Sequence, residues 1–226
     1  MLVTLEGTDG SGKTTQASLL VRRLRAAGHS AVGVHEPGGT VLGTHVRALL
    51  LGAEGSPMHP WTEAFLFAAC RAQLVHEVVR PALERHEIVV ADRFADSTLA
   101  YQGAGRGLPR SDLDDLVRIA TGGLRPDLTV LLDLPASEGL ARRVRAEKTD
   151  HPPEGADRGT SEPPREWNRF EDEGQAFQER VRAAFLDLAR LDPSRWVVLD
   201  ATAPTDVLAE AVWRTVESRV PVPRAE

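Results

Sequence analysis

Residues 2–15 read LVTLEGTDGSGKTT. Leu2–Glu6 is a short apolar run of strand character. The residues after it cannot continue a strand, because three glycines fall within six positions. Gly7, Gly12, Lys13 and Thr14 fit the spacing G-x-x-x-x-G-K-[ST]. Lys13–Ala27 then has helical spacing and ends before Gly28, a C-cap residue. A strand, a glycine-rich turn and a helix in that order form a phosphate cradle. Backbone N–H groups turn inward, and the helix adds about half a positive charge at its N-terminus. Gly7, Thr8, Asp9, Gly10, Ser11, Gly12, Lys13, Thr14 and Thr15 are the nucleotide-binding candidates. Lys13 suits the β- and γ-phosphates, and the Thr14 hydroxyl suits Mg²⁺. Asp9 is the odd member: a carboxylate among phosphates is repelled unless it bonds a hydroxyl or faces a metal.

Working outward, further strands are expected at Ala31–His35, Ile88–Ala91, Leu128–Asp133 and Trp196–Leu199. Helices are expected at Trp61–Arg85, Ser111–Thr121, Ser137–Arg145, Glu166–Arg190 and Thr205–Glu217. Pro81 should kink the first of these or end a hydrogen-bonded run, and Ser111 suits an N-cap. Strands alternating with helices predict an α/β fold with a five-stranded, mostly parallel sheet covered on both faces. Right-handed crossovers would gather the strands' C-terminal ends, and the loops that follow them, along one edge. The 226 residues suit one α/β domain or two small ones, and a single domain over 1–226 is expected. The segment Lys148–Asn168 breaks the pattern: it is polar and proline-rich. With arginines at 142, 143, 145, 158, 165 and 169 on and around it, it reads as part of a lid spanning about 142–169.

Composition removes several function classes. Lys plus Arg is 27 against 33 Asp plus Glu, a formal charge of −6, so the bulk charge of a duplex-binding protein is missing. Cys70 is the single cysteine, so no intramolecular disulfide forms. No apolar stretch reaches the roughly 20 residues of a membrane span, and the strand-to-loop start leaves no room for a signal peptide, so a cytoplasmic protein is expected. The seven histidines are scattered and form no H-E-x-x-H, no N-K-x-D stretch marks a guanine reader, and no G-x-S-x-G elbow occurs.

Three more stretches point to a second substrate. EPGGT, Glu36–Thr40, follows the second strand, and Arg47 lies about two helical turns on. ADRFADSTLAYQG, Ala91–Gly103, follows the third strand. Asp92 there can orient Mg²⁺ and Arg93 can clamp phosphate. Phe67 and Arg71 are four apart on one helix and share a face, so a ring can stack on a base while a guanidinium donates to its edge. Thymine offers an acceptor at O4 where cytosine offers a donor, which favours thymine or uracil. Tyr101 and Ser97 can line a sugar pocket.

GTDGSGKTT, EPGGT, FLFAACRAQ, DRFADSTLAYQG, RPDLTVLLDL and RFEDE stand in the order found in bacterial thymidylate kinases. The chain resembles that family over approximately residues 1 to 215. The resemblance implies a P-loop kinase fold, ATP and Mg²⁺, dTMP as acceptor, and a homodimer. Phe67 would stack on thymine and Arg71 would bond its edge. Asp9 would meet the 3′-hydroxyl or the Mg²⁺ region, and Arg47 and Arg93 would hold the dTMP phosphate. Tyr101 would crowd the place of a 2′-hydroxyl, with Ser97, Thr98 and Gln102 near the base pocket. Gly10 stands where some members carry a catalytic arginine in the loop, so the lid must supply it. Arg145 and Arg169 are the choices.

Overall fold

A computed structural model describes residues 1–51, 58–149 and 174–220, with the side chains of 143–149 left aside. Among them are five strands: β1 (Leu2–Glu6), β2 (Ala31–His35), β3 (Ile88–Asp92), β4 (Leu128–Asp133) and β5 (Trp196–Asp200). They form one sheet in the order β2-β3-β1-β4-β5, and every pairing is parallel rather than mostly so. β1 and β3 are buried at every position, whereas the edge strand β5 alternates. This is why the central strands lack a polar/apolar alternation, Ile88–Ala91 reading as an unbroken apolar run: helices cover both of their faces.

Side chains alternate across a strand, so β1 serves two layers at once. Val3 and Leu5 join Val90, Val130 and Leu132 beneath α1 (Lys13–Ala26) and α9 (Thr205–Glu217). Leu2 faces the opposite layer, with Val89 and Ala91. There the sheet meets α3 (Pro60–Leu74), α5 (Ala95–Thr98) and α8 (Gln175–Leu191). Thr4 and Glu6 share that second face and are fully buried, so the layer beneath the site is polar where the other is apolar.

The long helix expected at Trp61–Arg85 continues through Pro81 without stopping. α3 runs into a π-helical turn, Val75–Val79, and then into α4 (Arg80–Glu84). The Arg80 N–H donates to the Val75 carbonyl, one residue further back than in an α-helix. Pro81 has no N–H to give, and the ladder widens just ahead of it. Ser111 is not an N-cap. α6 (Arg110–Thr121) begins one residue earlier after Pro109, and the Ser111 hydroxyl turns to Asp112.

Two helical stretches carried no clear apolar period. α2 (Val41–Leu51) leaves Val41, Leu42 and Leu49 exposed. α5 and the π-helical turn Leu99–Gly105 bury Asp96, Ser97, Thr98 and Gln102. α7 (Ala136–Thr149) extends past the expected Arg145. Glu166 to Glu173 and most of the expected lid, with Arg158, Arg165 and Arg169, lie outside the described residues.

Gly139 in the first turn of α7 sets the height of the phosphate loop. A Cβ built on it would lie 2.5 Å from the Asp9 carbonyl oxygen. Alanine normally favours a helix over glycine by about 1 kcal/mol. Here the backbone contact should reverse that sign. Gly139→Ala is expected to lose about 1–3 kcal/mol of stability, read by urea unfolding; an unchanged or raised midpoint would refute the tight contact.

Candidate active site

The phosphate loop has the backbone its glycines allow. Gly12 caps α1 at φ 90°, and Gly10 takes φ 81°, both left-handed. Gly7, at φ 146°, sits so close to β4 that a Cβ would come within 2.6 Å of the Leu132 carbonyl oxygen. Lys13 Nζ folds back into this loop. It donates to the Thr8 carbonyl at 2.8 Å and to Ser11 Oγ at 3.3 Å. Burial pushes the Lys13 ammonium down to about 8, the nearby Arg93 charge adding to the effect. Thr8 and Ser11 are buried, and Thr14 and Thr15 are exposed at the start of α1. The Thr14 hydroxyl donates to Asp92 Oδ2 at 2.5 Å. Two oxygen donors from separate elements therefore meet at the mouth of the loop, and they are of the hard kind that Mg²⁺ takes.

Asp9 is paired with a cation from the far side of the site. Its Oδ1 accepts from Arg93 Nη2 and from the Tyr101 hydroxyl at 3.3 Å, and its Oδ2 accepts from Gln178 Nε2 at 3.3 Å. Arg93 is the first residue after β3 and has φ 69°, a left-handed conformation in a residue that carries a Cβ. Such backbones cost roughly 1–2 kcal/mol and persist only where neighbours hold them. Arg93 Nη1 donates to the Gly7 carbonyl at 3.1 Å and Ser97 Oγ at 3.3 Å, and its guanidinium lies over the Tyr101 ring. Burial opposes the Arg93 charge. Tyr101, Asp9, Asp92 and Glu6 together outweigh burial and hold it firmly protonated.

Arg71 is not a surface charge beside a ring. It is 1% exposed, and four of its five N–H groups are in use. Nε and Nη2 donate to the Glu36 carboxylate, Nη2 also to the Phe94 carbonyl at 3.0 Å, and Nη1 to Thr98 Oγ1 at 2.7 Å. One Nη1 hydrogen has no protein partner among the described residues. Half-buried Phe67 stands one turn earlier on α3.

Glu36 and Thr98, expected to touch substrate, both accept hydrogen bonds from Arg71 and hold it in place. Gln102 donates to Glu63 Oε1 at 2.8 Å, in a buried cluster with Arg106. The reason is electrostatic: a guanidinium buried at this depth needs a carboxylate beside it. Arg47 reaches back over the loop after β2 and donates to the Pro37 carbonyl at 2.8 Å. Tyr101 packs edge-on against Phe185 and tilted against Phe177. Arg145 is on α7 with its side chain outside the described residues, and Arg169 lies outside them altogether.

Sequence reading missed Glu6, Gln178 and the pair of Asp96 with Arg195 (2.6 Å). Glu6 lies one residue before the glycine loop and is fully buried. It accepts from the Phe94 N–H at 2.8 Å and from Ser97 Oγ at 2.6 Å. Burial, then the nearby Asp96 carboxylate, push it up to about 7. A charged residue in an apolar strand, two along from a polar Thr4, was the available signal.

A phosphate loop on a five-stranded parallel sheet, with Asp92 and Arg93 after β3 facing it from the same strand ends, points to the class of P-loop kinases. Residues 5–212 match the family model described as thymidylate kinase. The chain is 51% identical to a thymidylate kinase of Thermomicrobium roseum over 214 residues, covering 95% of this chain and 93% of that one. It is 48% identical to one from Deinococcus radiodurans over 219 residues, 97% of each. The solved thymidylate kinase structure of Ehrlichia chaffeensis superposes with a TM-score of 0.72 at 30% identity, covering 96% of this chain and 98% of that one. The chain belongs to the thymidylate kinase family, enzymes that phosphorylate dTMP to dTDP with ATP as donor.

Removing Arg71 would strand Glu36 in the interior. Arg71→Ala is expected to lose about 3–5 kcal/mol of stability as well as dTMP use, and Glu36→Gln added to it should recover part of the stability without the activity. Chemical denaturation of the single and double variants checks this; no recovery in the double variant would refute the pairing argument.

Proposed function

We propose that this chain transfers the γ-phosphoryl group of ATP to dTMP in line, across the gap between the phosphate loop and the Arg93 side of the site. The observation that carries the reading is the Asp9–Arg93–Tyr101 cluster, which ties the donor loop directly to the loop after β3. On dTMP binding, its phosphate takes the Arg93 guanidinium and Arg47. Asp9, so released, accepts from the 3′-hydroxyl. Phe67 stacks on thymine, and the remaining Nη1 hydrogen of Arg71 donates to the base edge. Tyr101 fills the space a 2′-hydroxyl would need, with Ser97 beside it. Lys13 leaves Thr8 and Ser11 for the donor phosphates.

A dTMP phosphate oxygen attacks the γ-phosphorus, the β–γ bridging P–O bond breaks, and the charge leaves on ADP. The attacking group is already an oxyanion, so no strong base is needed; alignment and charge neutralisation supply the rate. Mg²⁺ held by Thr14 and Asp92 would neutralise part of the charge on the donor phosphates. An arginine from the lid, Arg145 or Arg169, completes the neutralisation, a contribution of roughly 10³ to 10⁵ in rate. The reading treats 1–226 as a single kinase domain with its lid at about 142–169.

The active unit is proposed to be a homodimer. Val41, Leu42 and Leu49 of α2 and Phe65 of α3 are exposed on two helices that pack together, and Phe65 stacks on Trp61. Exposed apolar groups on adjoining helices mark association surfaces. Sedimentation should give a dimer for the chain and a monomer for Leu49→Glu/Phe65→Glu; a monomeric wild type refutes this. The net charge of −6 speaks against nucleic acid as a partner. No helix of the described residues is long and apolar enough to cross a membrane. The cytoplasm is the proposed compartment, and recovery of the chain with membranes on cell fractionation would refute it.

ADP release with ATP and dTMP, dUMP, dCMP, dGMP, AMP, UMP or no acceptor, with and without Mg²⁺, tests the assignment. A selective, Mg²⁺-dependent rate with dTMP is expected. Equal rates on another monophosphate would sink the Phe67, Arg71 and Tyr101 roles, and release without acceptor would sink the transfer. The same assay on Arg145→Ala and Arg169→Ala decides which arginine acts: one of them should lose turnover.

A further inference from the structure

Glu6 is a buried carboxylate that no step above uses. Its two oxygens feed two separate chains of hydrogen bonds. Oε1 accepts from the Phe94 N–H, and the Phe94 carbonyl accepts from Arg71 Nη2. Oε2 accepts from Ser97 Oγ, and that same oxygen accepts from Arg93 Nη1. One side chain thus lies behind both arginines of the acceptor site. It also pins the residue immediately after Arg93, whose φ of 69° needs a neighbour to hold it. The other fixed point of that turn is the Arg93 N–H, which donates to the Leu5 carbonyl. Both backbone N–H groups of the turn, those of Arg93 and Phe94, are therefore held by the last two residues of β1, directly before the phosphate loop.

We propose that Glu6 is a positioning residue for the acceptor: through Ser97 it sets the phosphate-holding Arg93, and through Phe94 it sets the base-reading Arg71. The proposal rests on the acceptor roles of these two arginines given above. Each arm is separable by chemistry. Glutamine at position 6 still offers a carbonyl to the Phe94 N–H, but presents N–H groups to Ser97 where the carboxylate accepted its hydroxyl. Alanine removes both arms. Ser97→Ala leaves Glu6 in place and cuts only the arm to Arg93.

Three quantities are read on each folded variant: kcat/KM for dTMP, the ratio of kcat/KM for dTMP to that for dCMP, and the Kd of a fluorescent ATP analogue without acceptor. Glu6→Gln is expected to lower kcat/KM for dTMP about tenfold with the base ratio kept, and Glu6→Ala about a hundredfold with the ratio narrowed, while the analogue's Kd stays within about threefold. Ser97→Ala should match Glu6→Gln, and the two together should be no worse than either alone. Additive losses, an equal loss of nucleotide binding, or wild-type kinetics in Glu6→Gln would each overturn the proposal. If Glu6→Ala does not fold, the Glu6→Gln and Ser97→Ala cycle still decides it. Arg93→Ala separates the two levels. Intact dTMP use in that variant sinks the acceptor role of Arg93 and this proposal with it, whereas its loss alongside unaffected Glu6 and Ser97 variants sinks the positioning role alone.

Discussion

A guanidinium cannot be taken out of water alone, and this structure takes several out on one side of its sheet. Arg71 and Glu36 are 2% and 3% exposed at their side chains, and Arg195 and Asp96 12% and 8%. Arg93 with Asp9 and Arg106 with Glu63 complete the set. Each pair satisfies a charge whose isolated burial would cost several kcal/mol. The polar layer between the sheet and α3, α5 and α8 exists because those charges must meet.

The pairs differ in what a ligand can do with them. Arg71 is held by Glu36, Thr98 and the Phe94 carbonyl, and spends four of five donors on the protein, so it is rigid before any base arrives. Preorganised donors of this kind lose little on binding. Arg93 is held by Asp9, Tyr101, Ser97 and the Gly7 carbonyl. In the proposed transfer, an arriving phosphate would compete with Asp9 for it, and Asp9 sits on the phosphate loop. Exchange of that one ion pair would then link occupancy of the proposed acceptor site to the conformation of the loop.

Much of the architecture was legible in local patterns. Five strands fall where short apolar runs stood, within one residue at their ends, and α9 spans the expected Thr205–Glu217. α1 ends where Gly28 allowed, at φ 86°. Ser111 and Pro81 misled for related reasons. A capping residue can be outranked by a proline one position before the helix, and a missing N–H can be absorbed by a π-turn rather than a break. α2 and α5 with its π-turn carried no readable period. One keeps apolar residues on its exposed side, and the other buries polar ones.

By itself, the sequence determined the phosphate loop and the strand-helix alternation. Left-handed glycines, helix ends and the two periodicities are set by neighbours in the chain. Only the tertiary structure decided which carboxylate each arginine meets. Asp9 and Arg93 are 84 positions apart, Glu36 and Arg71 35, and Asp96 and Arg195 99. No local rule spans such distances. The packing of the crossover helices on the sheet brings those residues together, and the cost of an unpaired buried charge then selects the partners. That is why the partners of Glu36, Thr98 and Gln102, namely Arg71 for the first two and Glu63 for the third, could not be read from the sequence.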